Sequence, residues 1–329
     1  FTPSPSIGFR LALLACAASA GELSAGDFSF EGPLGSQGAT VEKLGPEHFK
    51  VNLAAAPGNP AWRNMCQFAI TNHAAGKAPK IQFADYATWS GSGGNETSGL
   101  RRFGSWSYDL QTWHSVIPLN IDGKATLVFP TFTRDHVTFG GEVPMAYETL
   151  LALIGEWQKH PDVTVHAVGA SVEGRPIHRV TVTAADSPHA PSRRWGHHFV
   201  TPHCYEYNAQ WRLAGMIDWL LSEAAAEYRQ RNVCHFVVQM NVDGAHNGFG
   251  RVNCEGVDMN RSYAVSGWAN NPTVESRAMQ RDLEQLFASA TGGTTTWDMH
   301  PWAGAQTEAM VRPGPERGTT LGDWTVLRD

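Results

Sequence analysis

Residues 195–221 read WGHHFVTPHCYEYNAQWRLAGMIDWLL, which is an apolar run, a polar turn and then an amphipathic run. The pattern predicts a buried strand over 198–201 and a helix that starts near Tyr207. His203 and Glu206 lie in the turn between them. An imidazole nitrogen and a carboxylate at this H-x-x-E spacing, where a strand ends and a helix begins, both reach one metal ion. The stretch therefore predicts a strand–turn–helix unit that carries two metal ligands.

The composition limits the class of protein. The 329 residues are 42% hydrophobic and 17% charged, and the formal net charge is −6. These values are typical of a globular chain that is long enough for two domains. The sequence has no long basic run, so it predicts no nucleic-acid partner. It also has no apolar run of the length that a membrane span needs, so it predicts no membrane span.

The first residues resemble a leader peptide. Arg10 precedes the run LALLACAASA, which ends in small residues near Ala20, as the apolar part of a signal peptide does. We therefore interpret residues 1–26 as a leader or a disordered start. The five cysteines form no C-x-x-C pair, which favours free thiols in a reducing compartment. We expect a cytoplasmic protein, or a secreted or periplasmic one if residues 1–20 are a signal peptide.

Short alternating segments separated by turns occupy residues 27–140. Examples of the predicted strands are 67–71, 80–83 and 125–129, and the turns are rich in Gly, Pro and Asn. Many short strands with regular turns are typical of a β-sandwich. We place the domain boundary in the Gly- and Pro-bearing connector 139–144, so that an all-β sandwich domain covers 27–140.

Residues 141–329 have a different rhythm, in which longer amphipathic segments alternate with apolar runs. This rhythm predicts an α/β domain whose mixed central sheet is flanked by helices. Besides the opening unit, helices are predicted over 147–160 and 272–290, and strands over 163–170, 177–183, 234–241 and 294–299. The helical positions expected to be buried are Leu150, Leu151, Ile154, Trp157, Met279, Leu283, Leu286 and Phe287.

Polar clusters fall where the predicted elements of this region end. After His203 and Glu206 come the segments 241–244 (NVDG), 256–261 (GVDMNR) and 298–300 (DMH). A zinc hydrolase needs three protein ligands and an open fourth position. The three candidate ligands are His203, Glu206 and His300. The side chains suited to a substrate carboxylate or a developing oxyanion are Arg251, Asn260 and Arg261.

The ordered series H-x-x-E, N-x-D-G, a lone Arg, G-x-D-x-N-R and D-x-H resembles the zinc carboxypeptidase family of the carboxypeptidase A type. The cytosolic carboxypeptidase branch, in which a β-sandwich precedes the peptidase domain, is the most similar. The segments 145–147 (MAY), 174–175 (GR) and 208–211 (NAQW) look like that branch as well. The resemblance covers most of the chain from about Gly141. It implies a zinc carboxypeptidase-like domain over 141–329.

The resemblance implies a zinc centre with one Zn²⁺ ion. His203, Glu206 and His300 would be its ligands. Asp258 would accept a hydrogen bond from the free ring nitrogen of His203 and so orient that ligand.

The resemblance also implies the reaction and the partner. Arg251 would stabilise the oxyanion, and Asn260 and Arg261 would hold the C-terminal carboxylate of a peptide or protein substrate. The implied activity is that of a metallocarboxypeptidase, which removes C-terminal residues by means of a metal-activated water.

The sequence departs from the family pattern at two points. Cys204 and Tyr205 stand where the branch has Pro-Gly, and we expect the thiol to be a bystander. The family's general base is a glutamate on a strand several dozen residues beyond the last ligand, whereas this sequence ends 29 residues after His300. Glu308 and Glu316 lie too close to His300 for that role. We therefore expect a domain that is truncated at its C-terminus.

Two alternative functions follow from these departures. One is a zinc-binding pseudoenzyme that binds C-terminal carboxylates without turnover. The other is a related zinc-dependent deacylase of N-acyl amino acids, which shares the H-x-x-E and Asn-Arg pattern.

Overall fold

The structure is a computed structural model, and it describes residues 21–85, 104–263, 272–289 and 293–300. Residues 1–20 of the proposed leader and the two unassigned glutamates lie outside these ranges, whereas residues 21–26 are described and include Leu23, which is buried in the N-terminal core. The strands are β1 (Phe28–Ser29), β2 (Thr40–Gly45), β3 (His48–Asn52), β4 (Ala55–Ala56), β5 (Asn59–Arg63), β6 (Gln67–Ile70), β7 (Lys80–Asp85), β8 (Gly104–Ser107), β9 (His114–Val116), β10 (Leu119–Ile121), β11 (Lys124–Val128), β12 (Val137–Gly140), β13 (Val163–Ala170), β14 (Pro176–Val182), β15 (Trp195–Val200), β16 (Asn232–Val237) and β17 (Thr294–Asp298). The helices are α1 (Tyr147–Trp157), α2 (Tyr207–Leu221), α3 (Ala226–Arg231), α4 (Val242–Asn247) and α5 (Val274–Ser289), with short 3₁₀ turns at Ala25–Asp27, Pro191–Arg193, Glu223–Ala225 and Met259–Arg261.

The N-terminal region consists of two five-stranded sheets, ordered β1-β6-β12-β8-β9 and β10-β11-β7-β3-β2. Aromatic side chains from both sheets form one buried core. The rings of Phe28 and Phe49, one from each sheet, have centroids 4.9 Å apart. This strand-rich arrangement is consistent with the expected β-sandwich. The exact domain boundary remains a prediction.

The connector predicted over residues 139–144 begins too early in the sequence. Phe139 belongs to β12 and is buried, and its ring stacks on Phe68 with centroids 4.9 Å apart. A residue that fills the sandwich core in this way is part of the sheet, so the connection to α1 starts after Gly140.

The second region is built on a mixed five-stranded sheet in the order β13-β14-β16-β15-β17. β15 runs parallel to both β16 and β17, whereas β13, β14 and β16 pair in antiparallel fashion. Val200 is in register with Val237 on one side and with Asp298 on the other. Because parallel strands end at the same edge of a sheet, the chain segments that follow these three residues meet there.

Helices cover the sheet and complete its core. α1 and α2 contribute buried side chains such as Leu150, Ile154, Leu213 and Ile217 to one apolar cluster. Each of these stabilises the fold by about 1.5–3 kcal/mol through burial. α5 packs against β13 at Gly169, where an added Cβ would lie 2.4 Å from the Cβ of Ala278.

Three local predictions were wrong. Leu151 is 39% exposed, because it lies one residue, about 100° of helix rotation, away from the buried Leu150. Phe287 is 48% exposed, and burial along its helix face decreases from Met279 towards the end of α5. The strand predicted over 234–241 ends at Val237.

Two further observations concern the described residues as a whole. Their four cysteines are all free thiols, as expected, and three of them are buried. None of their helices combines the length and the apolar character that crossing a membrane requires.

Candidate metal and substrate site

The H-x-x-E turn connects the end of β15 to the start of α2, and Glu206 is the N-cap residue of that helix. A buried amide holds the turn in place. Gln210 donates from Nε2 to the carbonyl oxygens of His203 at 3.2 Å and of Cys204 at 3.0 Å. Gln239 in turn donates to Oε1 of Gln210 at 3.2 Å. In the sequence, Gln210 stands out only as part of the NAQW segment, although its place four residues after Glu206 puts it on the helix face below the turn.

The three candidate ligands converge on one point. His203, Glu206 and His300 each offer a ligand atom, and these atoms lie within 4.8 Å of one another. Nδ1 of His203 is 3.2 Å from Oε1 of Glu206, and Nδ1 of His300 is 2.8 Å from Oε2. His203 is fully buried and Glu206 is 4% exposed. The fold thus brings two imidazoles to the two oxygens of one buried carboxylate.

The protonation of His203 makes this group suitable for a cation. Its Nε2 lies 2.9 Å from Oδ1 of Asp258, so a neutral ring with its hydrogen on Nε2 donates to that carboxylate. Nδ1 then carries a lone pair, is buried and has no hydrogen-bond partner among the described residues. It faces a carboxylate oxygen of Glu206 at 3.2 Å, and two such acceptors repel each other unless a proton or a metal ion lies between them. Two imidazole nitrogens and one carboxylate are a donor set that zinc accepts.

His300 has a matching arrangement on its far side. Its Nε2 lies 2.9 Å from Oδ1 of Asp298 and 3.3 Å from Nδ2 of Asn260. Asp298 therefore stands to His300 as Asp258 stands to His203. In the sequence, Asp298 belongs to the D-x-H segment. Its position two residues before His300, at the end of one strand, was the signal that could have predicted this contact.

The charges of the group are strongly coupled. Burial opposes ionisation of Glu206, but its contacts with His203 and His300 outweigh this effect and lower its pKa to about 2. Burial likewise opposes ionisation of Asp258, whose contacts with His203 and Arg251 nevertheless hold its pKa well below the usual range. Burial disfavours the charged form of His300, whereas Asp298 and Glu206 raise its pKa to about 10. A proton and a metal ion would therefore compete for the imidazole ring of His300.

Arg251 lies beside the candidate ligands His203, Glu206 and His300 and is connected to His203 through Asp258. Its Nε donates to Oδ2 of Asp258 at 2.5 Å, and one Nη donates to the hydroxyl of Tyr205 at 3.2 Å. Burial alone would lower the pKa of Arg251, but Tyr205 and Asp258 raise it. The guanidinium stays charged and keeps three N–H groups that no described residue accepts.

The two candidate carboxylate-binding residues lie on the 3₁₀ turn Met259–Arg261. Asp258 caps this turn by accepting from the backbone N–H of Asn260 at 3.0 Å. The Asn260 side chain reaches His300. Arg261 is exposed, and one of its Nη atoms donates to the carbonyl oxygen of Asn260 at 3.0 Å. The structure therefore brings Asn260 to the candidate ligand His300 and places Arg261 at the adjoining surface.

Cys204 does not join the ligand group that the structure brings together. Its thiol is buried and contacts the carbonyl oxygens of Phe249 at 3.3 Å and Gly250 at 2.8 Å. Burial raises the pKa of this thiol far above its ordinary value, so it is held protonated.

The NVDG segment has a structural role away from the ligands. Asn241 caps α4 by accepting from the N–H of Gly244 at 2.9 Å. Asp243 accepts from Ser171 and from Arg175, both at 2.7 Å. Asp243 thereby fixes the β13–β14 hairpin. Glu173 and Cys254 also lie near this carboxylate, but the charge of Arg175 already compensates that group.

The chain is similar to known metallopeptidases in a family model and in fold. Residues 151–290 match the family model described as zinc carboxypeptidase. Similar solved structures include a metallo-carboxypeptidase from Burkholderia cenocepacia, with 21% identity, a TM-score of 0.65, and coverage of 80% of this chain and 71% of that chain. Another is a metallo-carboxypeptidase from Pseudomonas aeruginosa in complex with (2-guanidinoethylmercapto)succinic acid, with 19% identity, a TM-score of 0.66, and coverage of 82% and 68%. No curated protein matches the sequence.

The family-model match thus identifies a zinc carboxypeptidase domain within residues 151–290. The similar solved structures share its fold over four-fifths of its length. The family-model match agrees with the family that the ordered motifs resemble, and the solved structures support the fold.

Proposed function

We propose that the protein is a zinc metallocarboxypeptidase that removes C-terminal residues from peptides or proteins. The observation that carries this proposal is the convergence of His203 and His300, each through Nδ1, on the buried carboxylate of Glu206. The Nδ1 atom of His203 is buried and has no hydrogen-bond partner among the described residues, which supports a cation at this point. The four cysteines among the described residues, all of them free thiols, support a reducing compartment such as the cytoplasm.

The residues around the ligands prepare them for the metal. Asp258 and Asp298 each accept from the Nε2 side of one histidine, which leaves Nδ1 available as a ligand atom. When bound, zinc would supply a Lewis acid for the substrate carbonyl and lower the pKa of a bound water.

The neighbouring cation and amide would handle the substrate. Arg251 would donate its remaining N–H groups to the oxygen that becomes negative during hydrolysis. Asn260 and Arg261 would bind the terminal carboxylate, for which the planar fork of an arginine is well suited. A free C-terminus would thus be held within reach of the metal group, which is what makes the proposed enzyme an exopeptidase.

A peptide assay with the zinc-loaded chain tests the proposal. We expect one zinc ion per chain and release of the C-terminal residue from a peptide with a free carboxylate, measured by mass spectrometry. Release should stop when a chelator is added, and a C-terminally amidated peptide should remain intact. Turnover that a chelator does not affect, or equal cleavage of the amidated peptide, would contradict the proposal.

The same experiment separates the alternatives. Zinc-dependent binding of the free-carboxylate peptide without any release would favour the pseudoenzyme. Release of an acyl group from an N-acyl amino acid, with peptides left intact, would favour the deacylase.

A further inference from the structure

The guanidinium of Arg251 lies against a residue of the N-terminal region. Its Cζ atom is 5.2 Å from the centre of the Trp62 ring, which belongs to β5. A guanidinium over an indole face within about 6 Å is attracted by the ring's electron-rich face. The other two contacts of Arg251, to Asp258 and Tyr205, come from the α/β region. Trp62 therefore adds a contact from outside that region.

The hairpin formed by β4 and β5 is fixed to the loop that carries Arg251. Gly250 lies so close to this hairpin that an added Cβ would be 2.1 Å from the carbonyl oxygen of Arg63. Asn59 donates from Nδ2 to the carbonyl oxygen of Gly256 at 3.2 Å. The hairpin thus touches the loop on both sides of Arg251. These hairpin contacts set the position of Trp62, in addition to the contact of its ring with Arg251.

The three contacts of Arg251 restrict it in different directions. Asp258 and Tyr205 accept hydrogen bonds from the guanidinium, and such bonds lie near its plane. An aromatic face packs on that plane from above or below and uses none of the N–H groups. Trp62 therefore restricts the guanidinium without using its N–H groups, so the remaining donors of Arg251 stay available.

We propose that Trp62 is a positioning residue, through which the N-terminal hairpin holds Arg251 in the orientation that stabilises the developing oxyanion. This inference rests on the proposed function, in which Arg251 donates to that oxygen. It assigns part of the active-site geometry to the strand-rich region, which contains none of the candidate ligands.

Binding of two peptide probes to the zinc-loaded protein tests the inference. One probe is a phosphonate peptide, whose tetrahedral anionic group resembles the oxyanion, and the other is a peptide with an ordinary free carboxylate. We expect Trp62→Ala to weaken binding of the phosphonate roughly tenfold. Binding of the carboxylate peptide should change by about twofold or less, since no contact joins Trp62 to Asn260 or Arg261 among the described residues.

Conservative and control variants give the test its specificity. Trp62→Phe keeps a ring face and should retain most of the phosphonate affinity. Trp219→Phe changes an exposed tryptophan of α2 and should match the parent with both probes. If Trp62→Ala does not fold, Trp62→Leu takes its place with the same expectation. Equal losses for both probes, or no loss for the phosphonate, would overturn the inference.

A double variant shows whether Trp62 acts through Arg251. Arg251→Lys removes the planar group, so adding Trp62→Ala to it should cost no further phosphonate affinity. A roughly tenfold loss that persists when W62A is added to R251K would contradict the inference.

The last arm separates failure of the inference from failure of the proposed function. If the zinc-loaded parent does not bind the phosphonate, the proposed function fails. A double-mutant cycle of W62A and R251K, measured by unfolding in denaturant, then tests the contact between Trp62 and Arg251. A coupling of about threefold or more in the unfolding equilibrium constant supports positioning of Arg251 by Trp62. Additive effects overturn it.

Discussion

The guanidinium of Arg251 donates from Nε to Oδ2 of Asp258 at 2.5 Å. The other oxygen of this carboxylate lies 2.9 Å from Nε2 of His203. One carboxylate therefore joins a candidate metal ligand to the candidate oxyanion-stabilising cation. Because both partners draw on the same negative charge, the orientation of the ligand and that of Arg251 are coupled through Asp258.

We predict that Asp258→Asn weakens zinc binding about 10- to 100-fold, since the amide keeps the shape of the side chain but loses the charge that orients His203. Competition with a chromophoric chelator measures the affinity. Asp186→Asn is the matched control, because Asp186 is exposed. An unchanged zinc affinity in D258N would show that His203 is oriented by other contacts.

We predict that Gln210→Leu destabilises the protein by about 1–3 kcal/mol, because two carbonyl oxygens of the ligand turn lose their buried donor. Zinc affinity should fall as well, since the turn carries two of the ligands. Urea unfolding and zinc titration measure the two effects. Asn208→Ala is the control, as Asn208 is exposed on the first turn of the same helix. Wild-type zinc affinity in Q210L would contradict a positioning role for this amide.

We predict that zinc stabilises the protein and that His300→Ala abolishes this effect. A ligand present at about 100 times its dissociation constant adds about 2.7 kcal/mol to the free energy of unfolding. The variant should show the same stability with zinc and with a chelator. His246→Ala, which removes a partly exposed histidine outside the ligand group, should keep the zinc response. Full zinc stabilisation of H300A would exclude His300 as a ligand.

We predict that stability falls as the pH is lowered below about 6.5. Burial, reinforced by Arg179, lowers the pKa of His198 to about 4 and that of His235 to about 3. The unfolded chain therefore takes up protons before the folded chain does. The stability is fully present above the ordinary pKa of 6.5 and is lost between that value and about 4, by about 1.4 kcal/mol per pH unit for each histidine.

Urea unfolding at pH 7 and pH 5 checks this prediction. His198→Leu removes one of the two titrating rings and should make the pH dependence shallower. His136→Gln, which changes an exposed histidine, should leave it unchanged. Parent and H198L with equal pH dependence would show that His198 is not buried as a neutral ring.

The local sequence pattern was sufficient for the elements around the site. The apolar run before His203 and the amphipathic run after Tyr207 predict β15 and α2 because side chains repeat every second residue in a strand and about every 3.6 residues in a helix. The same reasoning placed the β13–β14 hairpin. It failed for the strand predicted to reach Asn241, because an apolar run alone does not show where ladder hydrogen bonds stop.

The candidate ligands, and Asp258 as the partner of His203, could be named from the sequence because their residue types and order are distinctive, whereas the partner of His300 could not. His300 lies nearly a hundred positions after His203, and only the parallel register of β15 with β17 brings the two rings together. Asp298 had a spacing that hinted at its place beside His300. The contacts of Tyr205 with Arg251 had no such signal, since they depend on how a loop folds back.

The sequence by itself determined the strand–turn–helix unit, the strand-rich N-terminal region, the α/β class and the metal-ligand residue types, because these depend on periodicity and side-chain chemistry within short segments. Only the tertiary structure decided that Asp298 faces His300 and that Trp62 lies against Arg251. That contact joins residues almost two hundred positions apart, and no local pattern specifies it. It exists because close backbone approaches, such as that of Gly250 to Arg63, hold the N-terminal hairpin against the loop that carries Arg251.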